Sequence, residues 1–100
     1  MIVVTGHLTI DPAQRAAVEA AIATLISATR VEEGNVDYRY GADLGEPDRI
    51  NITEIWESDE AMTAHMGTQH LADFMAAVGP AISGSVEIVR HDIESSTKLF

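Results

Sequence analysis

The stretch from Arg49 to His70, RINITEIWESDEAMTAHMGTQH, constrains the fold most, because it predicts a strand followed directly by two helices. Up to Glu57 its residues alternate between two faces, which is the period of a β-strand. Ser58 can cap the first helix, which should end at Gly67, and Thr68 can cap the second. One strand–helix–helix unit therefore contains a carboxylate, an indole and two imidazoles.

The rest of the chain predicts three more strands and one more helix. In order, the predicted elements are a strand at Ile2–Ile10, a helix from Pro12 to about Glu33-Gly34, a strand at Asn35–Asp43, the strand and two helices described above (the last breaking at Gly79-Pro80), and a strand at Ser85–Ile93. The order β-α-β-β-α-α-β predicts an α+β, ferredoxin-like fold with a four-stranded antiparallel sheet. We expect residues 1–94 to form a single domain, with residues 95–100 as a C-terminal tail.

One face of the predicted sheet has no helix to cover it. That open face should carry, among polar neighbours, Val3, Thr5, His7, Ile55 and Val89. This mixture is too apolar to remain in water, and pairing two sheets face to face would bury it. We therefore expect a homodimer.

The composition excludes several classes of partner. The formal net charge of −10, with six scattered basic residues, argues against nucleic acid and against an anionic membrane surface. No cysteine is present, so disulfides, thiolate nucleophiles and thiolate metal ligands are absent. The N-terminus reads as a strand rather than as a leader peptide, and no apolar run approaches the length of a membrane span. We expect a cytoplasmic domain.

Glu54 and Trp56 share the predicted helix-facing side of their strand. A buried carboxylate has a raised pKa and can act as a general base near neutral pH, while an indole offers a flat, apolar wall to a planar ligand. A structural interpretation is also open. Glu54 can pair with a buried partner such as Arg39 or Tyr38, and Trp56 can fill a core that is poor in aromatic residues.

His65 and His70 lie on either side of Gly67, on helix surfaces that can converge on one cavity. Histidine is the natural base for a phenol or an activated C–H group near pH 7. Helix capping or packing is the structural alternative for both residues, and we favour it for His70, in the first turn of its helix.

We predict no metal site and no nucleotide cofactor. His7, His65, His70 and Glu54 are residue types that bind zinc or iron, but no close spacing such as HxxxH or HExxH is present. The sequence also has no glycine-rich phosphate loop, no nucleophile elbow and no dinucleotide fingerprint.

Three short patterns between residues 33 and 74 are considered together. They are Glu33-Gly34-x-x-x-Tyr38, then Glu54-x-Trp56-Glu57-Ser58, then Ala64-His65 with Gln69-His70-x-x-x-Phe74. With the order of the elements, these patterns resemble the antibiotic biosynthesis monooxygenase family, which includes small quinol monooxygenases. The resemblance implies a dimeric α+β barrel of two ferredoxin-like subunits.

The resemblance also implies an activity. Oxygenases of this family need neither metal nor flavin, and they oxidise phenols, hydroquinones or anthrones with O2. On this reading the substrate is a small aromatic or quinol-like molecule, and His65 is the base, supported by Glu54 and His70. The expected substrate-binding wall consists of Tyr38, Trp56, Met62, Met66 and Phe74.

Other functions within and beyond this family stay open. A haem-degrading branch relies on Asn, Trp and His at places where this chain has His7, His65 and Met75, so haem degradation is not expected. A non-catalytic domain that binds a small ligand, or serves in stress, is one alternative. An isomerase of a small oxygenated metabolite is another, although six scattered basic residues suit a phosphorylated substrate poorly.

Overall fold

A computed structural model describes residues 1–100 and places four antiparallel strands in one sheet, in the order β2-β3-β1-β4. The elements are β1 (Ile2–Ile10), α1 (Arg15–Thr29), β2 (Asn35–Ala42), β3 (Arg49–Trp56), α2 (Asp59–Met66), α3 (Gln69–Val78) and β4 (Ile82–Asp92). Short 3₁₀ turns precede α1 and follow α3. The predicted α+β, ferredoxin-like arrangement is confirmed. None of the three helices is both long and apolar enough to cross a bilayer.

The helix caps lie where the sequence predicts them. The Ser58 hydroxyl accepts a hydrogen bond from the Ala61 N–H at 3.2 Å, which fixes the start of α2. The Thr68 hydroxyl accepts one from the Leu71 N–H at 3.4 Å, so α3 begins directly after α2 ends. Each cap satisfies an N–H group that has no partner inside its helix. This tight junction brings the end of α2 and the start of α3 to the same place.

Two predicted boundaries are wrong. Helix α1 ends at Thr29 rather than near Glu33-Gly34, and residues 30–34 form turns instead. Gly34 does adopt a positive φ of 82°, but it does so in the turn that leads into β2. Strand β4 begins at Ile82 because Ile82 pairs with Ile10 beyond an irregularity in the ladder, and it ends at Asp92.

The helices cover one face of the sheet, and the hydrophobic core lies between the helices and that face. The sheet contributes Ile2, Val4, Leu8, Ile10, Tyr38, Ile50, Ile52 and Trp56, and the helices contribute Val18, Ile22, Leu25, Leu71, Phe74 and Val78. The cover stops short of β4, where Val86 and Ile88, on the same face, are about half exposed. The gap beside β4 leaves an entrance between the helices and the sheet.

The other face of the sheet is open, as predicted. Val3 and Ile55 pair across β1 and β3 on this face, and Val89 lies on the neighbouring strand β4. His7 lies between Arg49, whose Nη2 is 2.7 Å from His7 Nδ1, and Ser85, whose hydroxyl is 3.3 Å from His7 Nε2. The face therefore mixes apolar and polar side chains.

Candidate active site

An apolar cavity of about 190 Å³ lies between the helix-facing side of the sheet and helices α2 and α3. Its lining consists of Val4, Leu8, Tyr38, Tyr40, Ile52, Glu54, Met62, His65, Met66, Leu71, Phe74, Met75 and Ile88. Met66, Met75 and Ile88 are each more than half exposed, so they form the mouth of the cavity. The polar groups among the lining residues are few, which is typical of a site for an apolar ligand held in one orientation.

His65 is the buried imidazole of this cavity. It lies in the last turn of α2 and is 1% exposed. Its Nδ1 is 2.7 Å from Glu32 Oε2. Because a carboxylate only accepts hydrogen bonds, Nδ1 carries the proton in the neutral ring, and the lone pair is on Nε2. Nε2 has no protein hydrogen-bond partner, so it is the nitrogen available to a ligand in the cavity.

Glu32 links His65 to His70. The same oxygen, Glu32 Oε2, is 3.0 Å from His70 Nε2. His70 does not line the cavity; it lies at the protein surface between α1 and α3, with 28% of its side chain exposed. The predicted catalytic role of His70 can therefore act only through Glu32. No local feature of the sequence points to Glu32, which the expected longer α1 places inside a helix.

Glu54 lies on the cavity wall and accepts a hydrogen bond from Trp56 Nε1 at 3.0 Å. Burial raises the pKa of Glu54, although the indole N–H and nearby His65 favour its charged form. The partner of Glu54 is thus Trp56 and not Arg39, which lies on the open face and bonds Asp37. Glu54 therefore offers a polar group to a ligand on an otherwise mainly apolar wall.

Trp56 does not line the cavity, contrary to its expected place in the substrate wall. It is fully buried at the end of β3, and its ring centroid is 4.7 Å from that of His65. The indole therefore packs against the imidazole ring without lining the cavity itself. A side chain that fixes the ring of His65 leaves fewer orientations open to Nε2.

Tyr38 and Tyr40 add two phenols to the cavity wall. Their hydroxyl groups are 3.3 Å apart, and burial raises the pKa of both phenols, that of Tyr40 to about 12. Both side chains are therefore neutral at physiological pH and can exchange hydrogen bonds with a hydroxyl or carbonyl group of a ligand.

The structure brings most of the predicted residues to one cavity. Those that line it are Tyr38, Glu54, Met62, His65, Met66 and Phe74. Glu32, His65 and His70 also form the one group of side chains with the composition of a metal site, their ligand atoms lying within 4.8 Å of one another. No Lys or Arg lines the cavity.

Several known proteins are similar to this chain in sequence or in fold. The family model described as antibiotic biosynthesis monooxygenase matches residues 1–77. The Bacillus subtilis (strain 168) protein named "Putative monooxygenase YcnE" is 28% identical over 93 residues, which are 93% of this chain and 98% of that protein.

Two crystal structures of proteins named putative antibiotic biosynthesis monooxygenase have folds similar to this one. The protein from Caulobacter crescentus CB15 has a TM-score of 0.88 and 26% identity, over 94% of this chain and 90% of that one. The protein from Deinococcus radiodurans has a TM-score of 0.91 and 22% identity, over 100% of this chain and 99% of that one. The chain belongs to the antibiotic biosynthesis monooxygenase family.

Proposed function

We propose that this protein is a cofactor-independent monooxygenase that oxidises a small phenol, hydroquinone or anthrone with O2 in the cavity between the sheet and helices α2 and α3. The family and the name of the B. subtilis relative support oxygenation. The observation that carries the proposal is the unpartnered Nε2 of His65 at an otherwise mainly apolar cavity.

The chemistry begins with proton removal. His65 Nε2 takes a proton from the substrate, and the resulting anion transfers an electron to O2. Recombination of the two radicals forms a C–O bond, and the peroxide, once protonated, loses water to give a carbonyl group. One oxygen atom enters the product and the other leaves as water, so the substrate supplies all the electrons. Tyr38, Tyr40 and Glu54 orient the substrate through hydrogen bonds to the hydroxyl or carbonyl groups on its ring.

The size of the cavity favours a substrate with one ring. An apolar cavity of roughly 150 Å³ is enough to hold benzene, and this cavity measures about 190 Å³. A three-ring anthrone would extend into the mouth and displace Met66 and Met75, whose unbranched side chains can move. We therefore expect single-ring hydroquinones to be the better substrates.

We also propose that two copies pair through the open faces of their sheets. Val3, Ile55 and Val89 supply the apolar surface that such an interface would bury. The cavity opens on the opposite, helix-covered side, so each chain would keep its own site.

The test is oxygen consumption by chelator-treated protein with a panel of hydroquinones and anthrones, with a heat-killed control and an anaerobic repeat. We expect saturable, oxygen-dependent formation of an oxygenated quinone above the spontaneous rate, which is a hydroxyquinone from a hydroquinone or an anthraquinone from an anthrone, with water as the second product. His65→Gln should lower kcat by about 10²- to 10⁴-fold, the usual contribution of a general base. His91→Gln is the matched control, because His91 lies on the open face and contacts Thr5.

Two outcomes would overturn the proposal. Unchanged turnover in a folded His65→Gln protein would remove the assigned base. Saturable binding of hydroquinones without oxygen consumption would instead favour the non-catalytic ligand-binding domain. Isomerisation of a phosphorylated metabolite is the weaker alternative, since the cavity lining has no cationic residue.

A further inference from the structure

Glu32, His65 and His70 come from three separate segments and meet at one point. Glu32 lies in the turns after α1, His65 in the last turn of α2 and His70 in the first turn of α3. Glu32 Oε2 is 2.7 Å from His65 Nδ1 and 3.0 Å from His70 Nε2. This convergence depends on the tight junction between α2 and α3.

We propose that these three side chains form a binding site for a divalent transition metal ion of the zinc class. Two imidazoles and one carboxylate are a donor set that zinc uses in proteins, with the fourth position open to water. The site shares His65 with the oxygenase proposed above but uses its other ring nitrogen, Nδ1, and neither Glu32 nor His70 lines the cavity.

Two of the three donor spacings need little adjustment, and the third, between the two imidazole nitrogens, is at most 4.8 Å. Zinc bonds of about 2.0–2.2 Å at tetrahedral angles separate the donor atoms by roughly 3.3–3.5 Å. The two distances to Glu32 Oε2 are 2.7 and 3.0 Å, so each has to open by about half an ångström. Glu32 belongs to a turn outside any helix or strand, which allows it to make this movement.

The site also has an entry path and a supported ligand. The side chains of His70 and Glu32 are 28% and 15% exposed and that of His65 is only 2% exposed, so an ion would arrive from the His70 side. Trp56 lies against the ring of His65 and holds one ligand in place. The net charge of −10 attracts cations to the protein as a whole.

Metal at this site would change the state of His65. A neutral imidazole bound to a metal through Nδ1 carries its proton on Nε2, so it cannot take a proton from a ligand in the cavity. Zinc would therefore inhibit the turnover proposed above, a consequence that rests on that proposal. The binding itself is measurable without any substrate.

The test is titration of the chelator-treated, full-length protein with Zn²⁺ by isothermal calorimetry, and with Co²⁺ by visible absorption. We expect one ion per chain and a cobalt spectrum of a four- or five-coordinate ion. Glu32→Gln and His70→Gln should each weaken binding by at least about tenfold, which is the lower end of the loss seen even for residues that only support a ligand. At the same zinc concentration, zinc should raise the unfolding temperature of the wild type more than that of the variants.

The control is the double variant His7→Gln/His91→Gln, which removes the two remaining imidazoles of the chain. Its affinity and stoichiometry should equal those of the wild type. The proposal is overturned if the wild type binds no zinc, or if the loss of affinity follows the control instead of Glu32 and His70. Should Glu32→Gln fail to fold, the more exposed His70→Gln decides the question alone.

Discussion

Glu32 and His65 are 33 residues apart in the chain and are joined by a 2.7 Å hydrogen bond from the imidazole Nδ1–H to the carboxylate. The bond fixes both the tautomer and the orientation of a ring that is 1% exposed. As a result, the ring nitrogen without a protein partner belongs to a residue that lines an apolar cavity. Glu32 is thus a positioning residue for His65, since it does not line the cavity itself.

The first prediction concerns Glu32→Gln. The neutral amide removes the charge that holds Nδ1–H, so we expect kcat to fall by about 10- to 100-fold, as for other partners that orient a functional histidine. KM should change little, because Glu32 makes no contact with the cavity. Steady-state kinetics with the best hydroquinone measure both constants.

Glu33→Gln is the control for this prediction, because it removes the same charge from an exposed neighbour. It should behave like the wild type. A rise in KM with unchanged kcat in Glu32→Gln would contradict the positioning role, since it would mean that Glu32 contributes to ligand binding alone.

The second prediction concerns the pH dependence of stability. Burial raises the pKa of Glu54 above its ordinary value of 4.5. Between the unfolded and folded pKa values the native state binds more protons than the unfolded state, so the contribution of Glu54 to stability falls as the pH rises through this window. Glu54→Gln removes this loss and can still accept the hydrogen bond from Trp56.

We therefore expect Glu54→Gln to be more stable than the wild type at pH 7, and the difference to shrink towards pH 4. Urea unfolding at both pH values gives the two free energies. The exposed Glu57→Gln, which changes the same charge on the same segment, should show no such dependence. If the free energy of unfolding of Glu54→Gln, relative to that of the wild type, is lower at pH 7 than at pH 4, the folded protein stabilises the Glu54 carboxylate and the prediction is wrong.

The order of elements follows from local signals in the sequence. The alternation along β1 and β3 depends only on residues close together in the sequence, and so do the caps at Ser58 and Thr68. The structure confirms the elements and the order that these local signals predict. The predicted end of α1 is wrong because Gly34, which has the positive φ typical of a helix-ending glycine, adopts it in the later turn that leads into β2.

The site is predictable only in part, because its key contact is not local. Helical spacing is enough to place Met62, His65 and Phe74 on the side that faces the sheet. Nothing near Glu32 indicates that it meets two histidines more than 30 residues away. For Trp56, alternation predicts the correct face of the strand, but it does not show which part of that face the cavity occupies. Trp56 lies at the end of β3, where its ring packs against His65 instead of lining the cavity.

The third prediction concerns the homodimer. Ile55→Asp places a charge on the open face, opposite Val3, where face-to-face pairing would have to bury it. We expect the wild type to sediment at twice the mass of the chain and the variant to dissociate. Leu44→Asp is the matched control, because Leu44 is fully exposed in the β2–β3 connection. A monomeric wild type would exclude this interface, as would an unaffected Ile55→Asp.

The last prediction concerns Gly6, where β1 and β4 approach each other closely. A Cβ atom at Gly6 would overlap the backbone carbonyl oxygen of Glu87 and lie 2.8 Å from Ile88 Cα. Because both neighbours are backbone atoms of β4, no side-chain rotation relieves the clash, and the two strands have to separate. Gly6→Ala should lower the free energy of unfolding by about 1–3 kcal/mol, the usual effect of overpacking.

Gly41→Ala is the strand control for Gly6, since a Cβ atom at Gly41 in β2 meets nothing within 4 Å. Alanine there reduces the freedom of the unfolded chain, so stability should stay equal or rise by up to about 1 kcal/mol. Urea midpoints at an unchanged m-value measure both effects. Equal stability of Gly6→Ala and the wild type would mean that β1 and β4 are farther apart than this structure places them. The entrance beside Ile88 would then be wider, and the preference for single-ring substrates would weaken.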